Sequence, residues 1–424
     1  MSITIRAVGQ AAKRGARRRV PSAAVLLDEI GAWLPAASGD PIHELVPVRT
    51  ADGAIEVALH PAARPMRIEA NDAGSVVATA MTVPVGPGYH TFAVSLLDRL
   101  AEDIEIEWDK SGGAAASSDP TGAFASGNRA DAERGHLGWL RAALIAIRDA
   151  RRQGGAGLHL ATPPGVRYTV DAAVVSVLGP RDDAWLERAL GDPRTAADVW
   201  PWVADAMDAR FHLARALVQM WLHVRWRPPI GPDETALVDD VLETLRRAYP
   251  LEPELGWPWA EWRELLALRG QPDPATLTLI DRAAPHIGDT AAGAIGYRRR
   301  PVTIVHEGWA LELPGSFTGT RTDEEWTGGE SGRTVTLAGT PTEMSAEQFL
   351  RQVATHLGHD AIEHEDGPIR GRARLTSDAS SGVEVATVEG YTAIRGRGAA
   401  IRIEIDDPQD WKWALDTWRS LRPA

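Results

Sequence analysis

Residues 44–60 read Glu-Leu-Val-Pro-Val-Arg-Thr-Ala-Asp-Gly-Ala-Ile-Glu-Val-Ala-Leu-His, two strand-like runs on either side of Asp52-Gly53. An Asp-Gly pair suits a tight hairpin because the central positions of such a turn need positive φ. Residues 66–70 and 76–83 repeat the arrangement around Asn71-Asp72-Ala73-Gly74, so the chain opens on a meander. Gly86-Pro87-Gly88 breaks it, and a helical run follows from about residue 90 to 102. Ile104, Ile106 and Trp108 then alternate with Glu105 and Glu107 at the period of a half-buried strand. Strands and helices interleaved in this way predict a mixed α/β domain.

Further along, residues 111–128 are rich in Gly, Ala, Ser and Asp, too poor in apolar area to offset the entropy of ordering, and are expected to form a mobile loop. Leu137, Leu140, Leu144 and Ile147 follow at helical spacing, with Arg148, Arg151 and Arg152 at the negative end of the helix dipole. Residues 158–161 and 166–178, split by Pro163-Pro164-Gly165, read as a hairpin that closes an N-terminal α+β domain over 1–179. From 180 to 290 the apolar residues recur at helical spacing, as in Leu237, Val238, Val241, Leu242 and Leu245, which predicts a central all-α domain. Trp200-Pro201-Trp202 and Trp257-Pro258-Trp259 each lead into a helix there. The remainder, 291–424, places strands at 302–305, 310–313, 333–337, 369–375, 383–388 and 400–405. Among them sit a helix opened by the capping box of Ser345 and Gln348, and a last helix striped by Trp411, Ala414, Leu415, Trp418 and Leu421. The expectation is an α+β multi-domain protein, with about three domains at ~150 residues each.

In that last region the order strand pair, strand, helix, strands, helix is opened by Gly308-Trp309-Ala310-Leu311-Glu312-Leu313-Pro314. Over residues 297–424 it resembles the PsbP-like group of bacterial and chloroplast proteins. The resemblance implies a C-terminal α/β/α sandwich that binds partners, and it transfers no catalytic residue because the group has no common catalytic motif.

Composition narrows the function classes. With 44% apolar and 24% charged residues the chain is globular in type. No stretch is apolar enough for a membrane span, and the basic start of Lys13, Arg14, Arg17, Arg18 and Arg19 is not followed by a signal h-region, so a cytoplasmic location is expected. The absence of cysteine excludes disulfides, thiolate metal sites and cysteine nucleophiles. A net charge of -13 argues against general nucleic-acid binding, which needs a basic surface. Only three of the 45 basic residues are lysine, a coding bias of GC-rich bacteria, and the 16 tryptophans are expected mainly to fill cores.

Motifs exclude more than they suggest. No lysine follows a glycine, so there is no P-loop; a Gly-x-Ser-x-Gly elbow and a His-Glu-x-x-His pair are also missing, and Gly396-Arg397-Gly398 lacks the third glycine of a dinucleotide turn. The densest candidate cluster is His356, His359, Asp360, Glu363, His364, Glu365 and Asp366, with His356 and His359 expected on one helix face. Its imidazoles, His364 included, suit zinc or manganese, although a solvated helix end has the same composition. Arg370, Arg372 and Arg374 fall on one face of the strand at 369–375, and with Arg395 and Arg397 on a neighbouring segment they form a candidate surface for a carboxylate- or phosphate-bearing partner. The plainer alternative is a solvated sheet face balanced by Glu384 and Glu404. Gly86-Pro87-Gly88-Tyr89-His90 offers free backbone donors for an anion beside His90, or simply a turn. His212, Arg215, Gln219 and His223 make a polar helix stripe that reads as a solvated face.

The function expected from these readings is a non-enzymatic protein-interaction protein, an adaptor or accessory subunit of a bacterial cytoplasm, with no catalytic residue assigned and no resident cofactor. The first alternative is a metal-dependent hydrolase centred on residues 356–366 with His306 and Glu307 nearby. The second is anion or nucleic-acid binding through the basic start and the C-terminal arginines.

Overall fold

The structure, a computed structural model, describes residues 2–13, 20–40, 42–111, 117–153, 158–159, 166–168, 172–204, 206–284, 295–378 and 385–424. It is mixed α+β, and the chain divides into two compact units: residues 1–161, 170–224 and 236–295, and residues 162–169, 225–235 and 296–424. Most of the helical stretch at 180–290 therefore belongs to the first unit. No helix among the described residues is long and apolar enough to cross a membrane.

The first unit is built on an antiparallel sheet of β1 (Thr4–Ala11), β2 (Pro47–Arg49), β3 (Ile55–Val57), β4 (Met66–Ala70), β5 (Ser75–Met81) and β6 (Ile106–Trp108), in the order β2-β3-β4-β5-β1-β6. The Asp52-Gly53 turn joins β2 to β3 with Gly53 at φ +86°, and the meander runs on as its turn chemistry implies. β1 is absent from the expected strands although its pattern is plain: Ile5 and Ala7 are fully buried, and they alternate with outward residues. It enters between β5 and β6 and pairs with both.

The same unit holds α1 (Ala23–Trp33), α2 (Pro87–Ile104), α3 (Ala123–Ser126), α4 (Arg129–Arg152), α5 (Asp183–Gly191), α6 (Ala209–Leu222), the larger part of α7 (Gly231–Ala248), α8 (Trp259–Arg269) and α9 (Pro274–Ala283). α6 starts where Asp208 accepts hydrogen bonds from the N–H groups of Arg210 and Phe211, and it is buried nearly all round: Phe211, His212, Leu213, Ala216, Val218, Gln219, Met220, Trp221 and Leu222 are all inside. The stripe of His212 and Gln219 is thus interior, contrary to the solvated face expected. A helix apolar on its other sides has no water-facing side left to give them.

Two loop expectations also change. Among the described residues the hairpin expected over 158–178 is replaced by other pairings: β7 (Leu158–His159) runs parallel to β9 (Val174–Ser176), which pairs with β10 (Gly179–Arg181). β8 (Val166–Tyr168) instead takes its ladder from a strand of the second unit's own sheet. Residues 112–116 lie outside the described residues, but 117–128 are tied in, because short polar side chains bond the backbone rather than water. Ser117 Oγ accepts from Val8 N–H (2.8 Å), Arg6 and Ser118 exchange backbone hydrogen bonds (2.9 and 2.7 Å), and α3 follows.

In the second unit β8, β11 (Val302–His306), β12 (Trp309–Leu313) and β20 (Arg422–Pro423) form a sheet in the order β20-β12-β11-β8. A seven-stranded antiparallel sheet is built from β13 (Thr318–Arg321), β14 (Trp326–Glu330), β15 (Arg333–Pro341), β16 (Ile362–Asp366), β17 (Ile369–Asp378), β18 (Val385–Ile394) and β19 (Arg397–Ile405), in the order β13-β14-β15-β19-β18-β17-β16. α11 (Trp411–Arg419) lies on the face of Gly371 and Gly390, where an added Cβ would come within 2.6 Å of the Trp418 indole at Gly390. α10 (Ala346–Val353), opened by the capping box of Ser345 and Gln348, lies on the other face and sets Phe349 against Ala393 and Gly398.

Candidate metal centre

The cluster at 356–366 is dispersed by its own backbone. α10 ends at Val353, His359 is exposed in a turn, and β16 carries the rest; the side chain of His356 lies outside the described residues. The period of a strand sends Glu363 and Glu365 to the face of Arg372 and Arg370, while His364 goes to the other face and meets Trp418 with ring centroids 5.7 Å apart. Among the described residues these groups do not converge as three metal ligands.

Arg370, Arg372 and Arg374 do share a face, and each meets a carboxylate: Glu365 at 3.5 Å, Glu363 at 3.7 Å and Glu389 at 3.6 Å respectively. Such a ladder is balanced within itself. Gly398 stands opposite Ala393, which stands opposite Arg370, so Arg397 leaves the sheet on the other side and donates to the Gly308 carbonyl at 3.2 Å. Arg395 sits in the β18–β19 turn, and the five arginines are not one surface. Of the basic start, residues 14–19 lie outside the described residues.

Gly86 and Gly88 answer to close packing rather than to an anion. A Cβ on Gly88 would lie 2.1 Å from the Ala204 carbonyl oxygen, and the Gly88 N–H is already given to the Trp202 carbonyl at 3.1 Å. His90 does acquire partners. Its Nε2 is 3.1 Å from Asp119 Oδ2 and its Nδ1 3.0 Å from Thr82 Oγ1, which lies 3.3 Å from His136 Nε2. Burial pushes the Asp119 carboxyl up, but the His90 bond and charge and the N–H groups of Phe124 and Thr121 outweigh it and bring it to about 2. Burial also lowers His136 to about 4. The order hydroxyl, imidazole, carboxylate is that of hydrolytic triads, yet Thr82, His90 and His136 are wholly inaccessible, so Thr82 offers no surface to a substrate. This is a buried structural relay. It was missed in the sequence because Asp119 falls in the stretch that composition assigns to a loop.

The convergent site lies elsewhere in the first unit. Asp40, His43 and His212 each place one ligand atom within 4.8 Å of the other two, and they are drawn from a loop after α1 and from the interior helix α6. Asp40 Oδ1 is held by the Ile42 N–H (2.8 Å) and stands 3.7 Å from His212 Nε2. His212 is fully buried, and neither ring nitrogen has a hydrogen-bond partner. Burial holds its ionisation below the usual imidazole range, against the pull of Asp40, which leaves a neutral ring with a lone pair to give.

His43 is positioned from α7. Its Nε2 lies 3.1 Å from Thr244 Oγ1, and that hydroxyl gives its own proton to the Asp240 carbonyl at 2.7 Å, so His43 Nε2 carries hydrogen and donates. His43 Nδ1 then faces Asp240 Oδ1 at 3.4 Å. A lone pair facing a carboxylate is repulsive; the contact becomes favourable only when a proton or a metal cation occupies Nδ1. Asp240 is itself oriented by Gln219 Nε2 (2.6 Å), the second interior residue of the supposed polar stripe. Burial pushes Asp240 up, but His43, Gln219 and Arg215 hold it below the ordinary carboxylate value.

Two imidazoles and a carboxylate suit zinc and neighbouring divalent ions. Ligands ~2.0–2.1 Å from a tetrahedral ion stand about 3.3 Å apart. The 3.7 Å between Asp40 and His212 is close to that, and separations up to 4.8 Å need closure by at most about 1.5 Å, within reach of side-chain rotation. A cavity of about 20 Å³ lined by Asp40, His43 and Arg215 adjoins the ligands. The sequence signal was weak but present: His212 and Gln219 stand in a helix whose remaining faces are apolar.

No family model matches this chain, and no curated protein is similar to it. A solved crystal structure from Bacteroides thetaiotaomicron is similar over 28% of this chain and 45% of its own, at 8% identity and a TM-score of 0.25, a likeness too slight to carry an argument about fold or function.

Proposed function

We propose that the protein binds one divalent ion of the zinc class through Asp40, His43 and His212, and that this is a holding site, not one that processes a substrate. The observation carrying the proposal is His212, wholly buried with both ring nitrogens unpartnered and 3.7 Å from a buried carboxylate. Leaving such groups unsatisfied costs roughly 1–3 kcal/mol each, and a metal bond removes part of that cost. The cavity that adjoins the ligands is small, about 20 Å³, which suits a holding site more than one that takes up a large substrate. Elemental analysis by mass spectrometry on protein dialysed without chelator tests the reading. One equivalent of zinc-class metal, lost in Asp40→Asn, supports it; no metal after incubation with zinc refutes it.

A docking role toward other proteins stands beside this reading. What supports it is the second unit, where α10 and α11 lie on opposite faces of an antiparallel sheet, the three-layer arrangement that a PsbP-like binding domain would have.

A further inference from the structure

The second unit holds a cavity of small-ligand size, about 510 Å³, walled by residues 298–301, the turn after β12 and one side of α11. Tyr297–Arg299 make a single 3-10 turn and the chain extends at Arg300, so Arg298, Arg299 and Arg300 line the cavity in succession. Gly315 lets the turn close up, because a Cβ there would collide with the carbonyl oxygens of Arg298 and Arg300. Two of the three side chains are tethered. Arg298 Nη1 donates to the Gly315 carbonyl at 3.0 Å, and the Arg299 guanidinium lies 3.5 Å from the centre of the Trp226 ring. The Arg300 side chain is exposed and, among the described residues, has neither a hydrogen bond nor an ion pair.

Two carboxylates share the lining, Glu312 and Asp416. Asp416 is matched by Arg419 at 3.3 Å, which leaves Glu312 as the acid facing Arg300 across the cavity charge balance. Arg225 adds to the positive side: it enters no ion pair, and its Nη1 is buried without a hydrogen-bond partner. Burial first, and then the charges of Arg298 and Arg227, lower its ionisation to about 10, while Arg227 is itself bound to Glu234 at 2.6 Å. A guanidinium without an acid of its own is fitted to take a carboxylate or phosphate by paired N–H bonds. The rest of the wall is apolar, with Pro301, Pro314 and a Trp413 held in place by Phe317 (centroids 5.9 Å apart) and by the Arg333 guanidinium over its ring. We propose that this cavity binds a small organic acid, a carboxylate or phosphate ester on a ring-bearing apolar body, with the acid group on Arg300 and the body against Pro301, Pro314 and Trp413. The proposal does not depend on the metal site.

Ligand-observed NMR titration of the full-length protein with phenyl phosphate and with benzoate tests it, with inorganic phosphate and benzyl alcohol as the separate halves of such a ligand. Saturable binding of at least one acid, tighter than either half, is expected, and the tighter acid names the oxyanion. Arg300→Gln should weaken that binding roughly tenfold, the loss of a hydrogen-bonded charge. Glu312→Gln should strengthen it, and Arg402→Gln, whose guanidinium pairs with Glu404 elsewhere on the unit, should leave it unchanged. Benzyl alcohol binding as tightly as the acids, inorganic phosphate matching phenyl phosphate, or acid binding indifferent to Arg300→Gln would each overturn the proposal, as would no saturable binding of either acid at millimolar concentration.

Discussion

Two groups of histidines in this chain make opposite points about sites. His356, His359 and His364 are neighbours in sequence, and the backbone separates them: a helix ends, a turn intervenes, and a strand deals its residues to alternate faces. His43 and His212 are far apart in sequence, and a loop and an interior helix bring them together with Asp40. In the first case the described side chains part, His359 exposed in a turn and His364 set against Trp418. In the second the useful sign was polarity where a helix has no exposed side.

The sharpest way to break this contrast is to remove ligands from both groups. His212→Ala and Asp40→Ala are expected to lower zinc affinity at least a hundredfold by isothermal titration, while His359→Ala with His364→Ala leaves it unchanged. Equal losses in both would sink the comparison. Next in size, saturating zinc at about one hundred times its dissociation constant adds roughly 2.7 kcal/mol to the unfolding free energy. That corresponds to a melting shift of about 5–10 °C for a unit of this size, removed by chelator.

The third effect separates the metal site from the other buried histidines. His136 has a folded value of about 4 against 6.5 unfolded, so between these limits the unfolded chain binds more protons than the folded one. Stability therefore falls as pH drops from 6.5 to 4 and this contribution levels off below 4, a loss on the order of 3 kcal/mol. Denaturant unfolding across that range should show the slope, and His136→Gln should flatten it. A slope indifferent to His136 would mean that the relay carries no such linkage. Smaller again, Thr244→Val should weaken zinc about tenfold by loosening His43, whose Nε2 it holds at 3.1 Å, the usual size for a group that orients a ligand. Smallest is Arg372→Ala on the sheet ladder, expected to change stability by ~0–1 kcal/mol, as for other exposed ion pairs.

Much of the fold was legible because it rests on local chemistry. Asp52-Gly53 made its hairpin, Ser345 and Gln348 made their capping box, and alternation at Arg370, Arg372 and Arg374 made a strand face. What was not legible depended on distant partners. β1 has the right alternation, but its place between β5 and β6 is decided by strands at 75–81 and 106–108. β8 and β9 divide one apolar run between two sheets. Asp119 looks like loop composition until Thr121, Phe124 and His90 close around it. The metal centre is of the same kind: Asp40, His43 and His212 carry no spacing rule, and only the burial of α6 marks them.

The most direct test of the central claim is X-ray absorption at the zinc edge on the zinc-loaded protein. The predicted shell has two imidazole nitrogens, one carboxylate oxygen and one further small ligand, and His43→Ala lowers the imidazole count by one. A shell of oxygens alone, or an imidazole count unchanged by His43→Ala, would contradict it.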